Sequence, residues 1–314
     1  MHIVGAIDKL VIRIPKEAEL VRGVASMLRA SRDTSRNGNK YYRTVRDLQV
    51  FGLKSVLYFG QRKTGNHKMQ IVGTGSMLFS EILSEIRCTF DLDPLQAVVM
   101  RIDLAVDVFG YPVEWFRHNT WIMWKRSGSE FGSWSSRRKQ VETLYFGQGA
   151  NVFCVYDKTA ERRVEYRRVT RRPSNKALPR FEDLYGHSEQ EIVTRVERRY
   201  GPGKIPETIR TLAEGQKNAT DLNPFESLRF LPITVSEESI NQLRGDVFLR
   251  AQGLLRLTER HGLHDAKRLL DKKTCRNTNR LVAQFRKLIR SDRTLTPPDL
   301  NSAYKEATRQ QLSG

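Results

Sequence analysis

In the stretch RIDLAVDVF, Arg101–Phe109, every second residue from Ile102 to Val108 is a large aliphatic one. Successive side chains on a strand point to opposite faces, so Ile102, Leu104, Val106 and Val108 share one side. Arg101, Asp103, Ala105 and Asp107 share the other. Aspartate is disfavoured inside a strand, so two of them on one face point to more than a scaffold.

Working outward, IDKLVIRIP (Ile7–Pro15) opens an earlier strand in the same way, with Ile-Asp. The pentapeptide LYFGQ occurs twice, at Leu57–Gln61 and Leu144–Gln148. The first copy leads to HKMQIVGT (His67–Thr74), the second to NVFCVYDK (Asn151–Lys158). Both continuations read as the return strand of a hairpin, rich in β-branched and aromatic residues and bounded by turns. Apolar Leu78, Phe79, Ile82, Leu83 and Ile86 predict a helix closing the first half. The spacing of the copies is too long for a solenoid. The expected fold class is α+β: two related β-sheet halves, an internal duplication over about 1–95 and 96–205, followed by a basic α-helical C-terminal domain. Proline-punctuated GPGKIP, NPFES and LPITVSEES predict a linker over 206–236, leaving 237–314 as that helical domain.

The chain has 314 residues, enough for one large core or two smaller ones. With 54 Lys and Arg against 35 Asp and Glu, its formal charge of +19 favours a polyanionic partner, above all nucleic acid. Three cysteines without metal-ligand spacing fit a reducing compartment. No uncharged apolar run approaches membrane-spanning length, so a cytoplasmic location with no membrane contact is expected.

The halves differ in chemistry. The first-half strand keeps Asp8 but has Leu10 and Ile12 where a second acid would stand. In the second half, Tyr156 and Lys158 at i and i+2 fall on one strand face, where the ammonium favours the phenolate. A phenolate beside a cation suits attack on a phosphodiester, whose transition state is anionic. Strand-like Thr194–Arg199 places Arg195, Glu197 and Arg199 on one side. Carboxylates suit Mg²⁺ or Mn²⁺, and Asp103 with Glu197 are the expected ligands, with Asp107 in reserve. The six histidines form no His-x-His pair, so any metal site rests mainly on carboxylates.

IDKLVIRIP, RIDLAVDV, LYFGQ leading to VYDK, and RVERR resemble, in that order, the rolling-circle replication initiators of filamentous phages and the Rep_trans-type plasmid initiators. The resemblance covers roughly residues 5–200. It implies an origin nickase in which Tyr156 becomes linked to a 5′ phosphate and frees a 3′-OH, with religation at termination. Lys158 would assist, and Asp103 and Glu197 would hold the metal. Origin DNA, a host helicase and polymerase, and a second copy of the chain are the implied partners. Residues beyond 225 match nothing in that pattern.

For DNA contact, Lys158–Arg180 carries arginine pairs at Arg162–Arg163, Arg167–Arg168 and Arg171–Arg172, a basic stripe if helical and ended by Pro173. Arg101 and Arg195 on the site strands, and Arg137 and Arg138 beyond the Gly/Ser-rich loop with Phe131 and Trp134, complete the expected set. That loop suits splayed bases, and equally an ordinary loop with a buried Trp. Two short helices around Lys273–Asn277 leave a helix-turn-helix or a packing lobe open. The rival to an enzyme is a non-catalytic sequence-specific DNA-binding protein or repressor; a basic RNA-binding protein is the third.

Overall fold

The computed structural model describes residues 3–20, 41–50, 53–77, 95–122, 131–135, 141–171, 179–230 and 299–310, with scattered positions between 82 and 93 and between 245 and 269. The fold is mixed α+β. Its strands are β1 (Ile3–Ile14), β2 (Glu19–Leu20), β3 (Tyr42–Val50), β4 (Leu53–Gln61), β5 (His67–Met77), β6 (Phe90–Asp91) and β7 (Val98–Phe109). They continue with β8 (Thr120–Ile122), β9 (Phe131–Ser135), β10 (Val141–Gln148), β11 (Asn151–Asp157), β12 (Val193–Tyr200) and β13 (Leu228–Phe230). The helices used below are α1 (Val113–Asn119), α2 (Lys158–Thr170), α3 (Phe181–Tyr185), α4 (Leu212–Asn218) and α5 (Leu300–Gln310).

Nine strands form one sheet in the order β3-β4-β5-β1-β7-β12-β11-β10-β9, and every neighbouring pair is antiparallel. The two Ile-Asp strands, β1 and β7, pair at its middle. Each LYFGQ ends the first strand of a hairpin, β4 into β5 and β10 into β11. The second hairpin turns in two residues, with Gly149 at φ 63°, a conformation glycine adopts without steric cost.

One face of the sheet is the core. Leu10, Ile12 and Ile14 of β1 lie there with Ile102, Leu104, Val106 and Val108 of β7, and with Phe153, Val155 and Val196 from the second half. The alternation read from RIDLAVDVF is thus realised. Ile82 and Ile86, Val113 and Phe116 of α1, and Leu300 and Tyr304 of α5 cover this face. Fully burying one such side chain stabilises by about 1.5–3 kcal/mol.

Residues 206–230, expected as a linker, are built into this core. Thr211 caps α4 through a reciprocal box with Glu214: its hydroxyl accepts from the Glu214 N–H at 3.2 Å, and the Glu214 carboxylate accepts from the Thr211 N–H at 2.8 Å. Val99 N–H donates to Arg210 O and Leu212 N–H to Ala97 O, stitching the segment to β7. Ile209, Leu212, Phe225 and Leu228 are buried, and β13 pairs with β8. Proline and glycine marked its turns correctly, but the apolar residues between them bury against the sheet.

The C-terminal helix also joins the core. α5 packs on β1 and β7, and the Asn301 carboxamide accepts from Phe225 N–H at 2.8 Å. Helical positions are described at 247–250 and 252–257. The helix-turn-helix expected around 273–277 lies outside the described residues. Among the described residues, no helix is long and apolar enough to cross a membrane.

Candidate active site

The opposite sheet face is charged, and strand register places its residues in rows. Thr143, Tyr156, Arg195 and Asp107 align across β10, β11, β12 and β7. Tyr145, Cys154, Glu197 and Ala105 form the next row, and Gly147, Val152, Arg199 and Asp103 the one after. Lys9 of β1 stands opposite Asp103. The register of β1 slips between Ile7 and Lys9 against both neighbours. Such an irregularity re-aims side chains, and here it lets Asp8 reach Arg195 while Lys9 keeps its place in the row.

Guanidinium–carboxylate pairs knit this face together. Arg195 donates Nε and Nη2 to the two Asp107 oxygens at 2.6 Å each, and Nη1 to Asp8. Arg101 grips Asp103 through two hydrogen bonds of 2.9 and 2.7 Å. Arg199 donates Nε to Glu197 at 2.7 Å, with Asp103 at 3.9 Å. Bidentate pairs of this kind fix geometry as well as charge. The Arg195 side chain is only 4% exposed. Burial works against its charge, but Asp107 and Asp8 outweigh that and keep the guanidinium firmly protonated.

Tyr156 stands at the end of this lattice, opposite Arg195 and one row from Glu197 on the neighbouring strand. Burial, then the charge of Glu197, drives the phenol pKa upward, against the lowering expected from Lys158. Lys158 is not a strand residue. β11 ends at Asp157, whose carboxylate accepts from Ala160 N–H at 2.8 Å and so starts α2. The Lys158 ammonium consequently turns to Glu161, while lying 5.6 Å from the Tyr156 ring centroid. Burial, then Arg195, lowers its pKa. Burial also raises the Glu197 pKa, with Asp8 adding to the effect and Arg199 opposing it. The Cys154 thiol, buried beside them, is pushed up to about 12.

The expected metal ligands share the face but do not converge. Asp103, Asp107 and Glu197 are each held by a different arginine, and no group of three or more His, Cys, Asp or Glu is arranged to hold a metal ion among the described residues. The residues as arranged do not fit a pre-formed Mg²⁺ or Mn²⁺ cage.

The basic helix is present as α2. Thr159 at its start donates to Glu191 O at 2.7 Å and accepts from Val193 N–H at 3.2 Å, fixing it against β12. Arg162 pairs with Glu165 and Arg163 reaches Glu189 O, whereas Arg167, Arg168 and Arg171 are exposed. Arg137, Arg138 and Arg172 lie outside the described residues. Sequence reasoning passed over Asp8 and Lys9 as site residues, although the shared Ile-Asp start of β1 and β7 was the available signal. Arg199 was placed on the correct face without a role. Compared with known protein families and with curated proteins, the chain has no match.

Proposed function

We propose that this chain is a replication initiator that nicks origin DNA through Tyr156 and later religates it. The observation that carries the reading is Tyr156 one row from the buried Glu197 carboxylate on the same arginine-rich sheet face. Glu197, made more basic by burial, takes the phenolic proton as Tyr156 Oη bonds to phosphorus. The P–O3′ bond breaks, leaving a 5′-phosphotyrosine and a 3′ oxygen. Lys158, acidified by burial, gives a proton to that oxygen, leaving a 3′-OH and a neutral amine. Religation is the reverse. Exposed Arg167 and Arg168 on α2, with Arg171 just beyond it, hold the flanking phosphates.

The proposal includes an origin for the fold in duplication. The order β3-β4-β5-β1 is mirrored by β9-β10-β11-β12-β7, with β12 as the added strand, and LYFGQ occupies the equivalent hairpin on each side. A Mg²⁺ or Mn²⁺ requirement is proposed from the carboxylates alone and enters no step above. Undiminished nicking in excess EDTA would delete it. A helicase, a polymerase and a second copy of the chain are the proposed partners.

The test is to incubate the protein with labelled supercoiled DNA carrying its neighbouring sequences, add Mn²⁺, and seek a denaturant-resistant adduct. Wild type should form it; Tyr156→Phe should bind the DNA and form none. An adduct with Tyr156→Phe would remove Tyr156 from the chemistry. The rival non-catalytic DNA-binding protein draws on the neutralisation of each carboxylate by an arginine, which suits a rigid scaffold. It predicts site-specific binding with no adduct for either protein.

A further inference from the structure

The two halves of the polar face differ in how their cations are compensated. On β7 and β12, Arg101, Arg195 and Arg199 each hold a carboxylate. On β1, β4 and β5 the row is Arg13, Lys68 and Tyr58, one residue from each strand. Lys68 Nζ lies 3.6 Å from the Tyr58 ring centroid and 5.0 Å from that of Tyr42, and the two rings are 5.3 Å apart. No carboxylate pairs with Lys68 among the described residues. Burial, then the like charge of Lys9, lowers its pKa, so an anion is the missing complement.

The same residue of each LYFGQ copy therefore sits near a cation: Tyr58 near Lys68, and Tyr145 with Arg199 at 5.9 Å from its ring centroid. In the second half Glu197 already neutralises that cation. In the first, the surroundings add positive charge. Arg13 and Arg43 are exposed, as is Lys63 in the β4–β5 hairpin, and Tyr41 nearby is 57% exposed. The hairpin is tied to that tyrosine by an Arg62 N–H to Tyr41 O bond of 2.8 Å. The Arg43 stem lies against Gly60, where an added Cβ would stand 3.3 Å from Arg43 Cδ, so the glycine makes room for the cation. Tyrosine rings interleaved with under-compensated cations suit a phosphate backbone whose bases are free to stack, which a duplex does not offer.

We infer that the face of β1, β4 and β5 centred on Lys68 is a binding subsite for single-stranded DNA. Phosphates engage Lys68, Lys9 and Arg13, and bases lie against Tyr41, Tyr42 and Tyr58. The inference rests on the nucleic-acid reading above but not on the Tyr156 chemistry. It places the grip for an opened strand on the half of the sheet that lacks the nucleophile.

Fluorescence anisotropy of the full chain, without metal, tests it with labelled oligothymidine, an abasic strand of equal length and oligouridine. Lys68→Gln should weaken oligothymidine binding about tenfold and reduce the log–log salt slope by about 0.7, the value of one single-strand phosphate. Arg13→Gln, at an exposed position, should reproduce the slope change. Tyr58→Leu should cost oligothymidine about tenfold while leaving the abasic strand nearly unchanged, as lost stacking requires. Wild-type affinity in Lys68→Gln and Arg13→Gln, or equal losses on both DNA strands for Tyr58→Leu, would overturn the subsite. Equal or tighter binding of oligouridine would overturn its assignment to DNA. Normal binding of oligothymidine by a wild type that forms no tyrosine adduct leaves this inference standing and defeats the nickase, whereas an adduct on supercoiled DNA without oligothymidine binding defeats this inference alone.

Discussion

Arg195 joins three strands with one side chain, holding Asp107 on β7 and Asp8 on β1 from its place on β12. Removing it leaves two carboxylates without their counter-charge. Arg195→Met is expected to cost about 3 kcal/mol or more in urea unfolding. Adding Asp8→Asn and Asp107→Asn should recover part of that loss, because the stranded charges go with them. Glu197 makes a pH prediction. Its pKa is raised by burial, so the acid limb of nicking should lie above the ordinary glutamate value of about 4.3. The folded state holds this proton more tightly than the unfolded chain. Its contribution to stability therefore falls as pH rises through that interval, and Glu197→Gln should remove the fall in a pH series of urea melts. At this scale the sequence exposed Tyr156, Glu197 and both aspartates because strand alternation sorts side chains by face. The partners were hidden, since which arginine meets which carboxylate depends on strand neighbours remote in sequence.

Strand β10 shows how a repeated pentapeptide acts as an element. Gly147 has φ 95° and Gly60, its counterpart, φ 59°, conformations that L side chains rarely adopt. Gly147→Ala is expected to destabilise by about 1–2 kcal/mol, read as a lower urea midpoint with unchanged slope. A neutral result would remove the conformational reason for glycine in the motif. The hairpins, the central strands and the helix near Ile82 were legible from periodicity and turn residues. The start of α2 was not. Tyr-Asp-Lys continues the strand pattern, and only the Asp157 bond to Ala160 N–H stops it. Residues 206–230 misled for a related reason: punctuation locates turns and is silent on whether Phe225 and Leu228 between them are buried.

The whole molecule is closed by its last described helix. Tyr304 of α5 is 2% exposed in the core that backs β1 and β7. Tyr304→Ala should cost about 3–5 kcal/mol, like other large aromatic truncations. Deleting the chain from residue 299 should yield an aggregation-prone product, whereas a separable C-terminal domain would leave a stable remainder. Solubility and a cooperative urea transition in the truncated chain would decide for the latter. The arrangement has a consequence for biosynthesis. β1 is made about a hundred residues before its partner β7, and α5, which packs on both, follows about two hundred residues after β7 begins. At roughly 5–20 residues per second, the part of the β1–β7 back that α5 covers waits on the order of 10–40 s. Until then the part of that face which Leu300 and Tyr304 close stays open to any other apolar surface it meets.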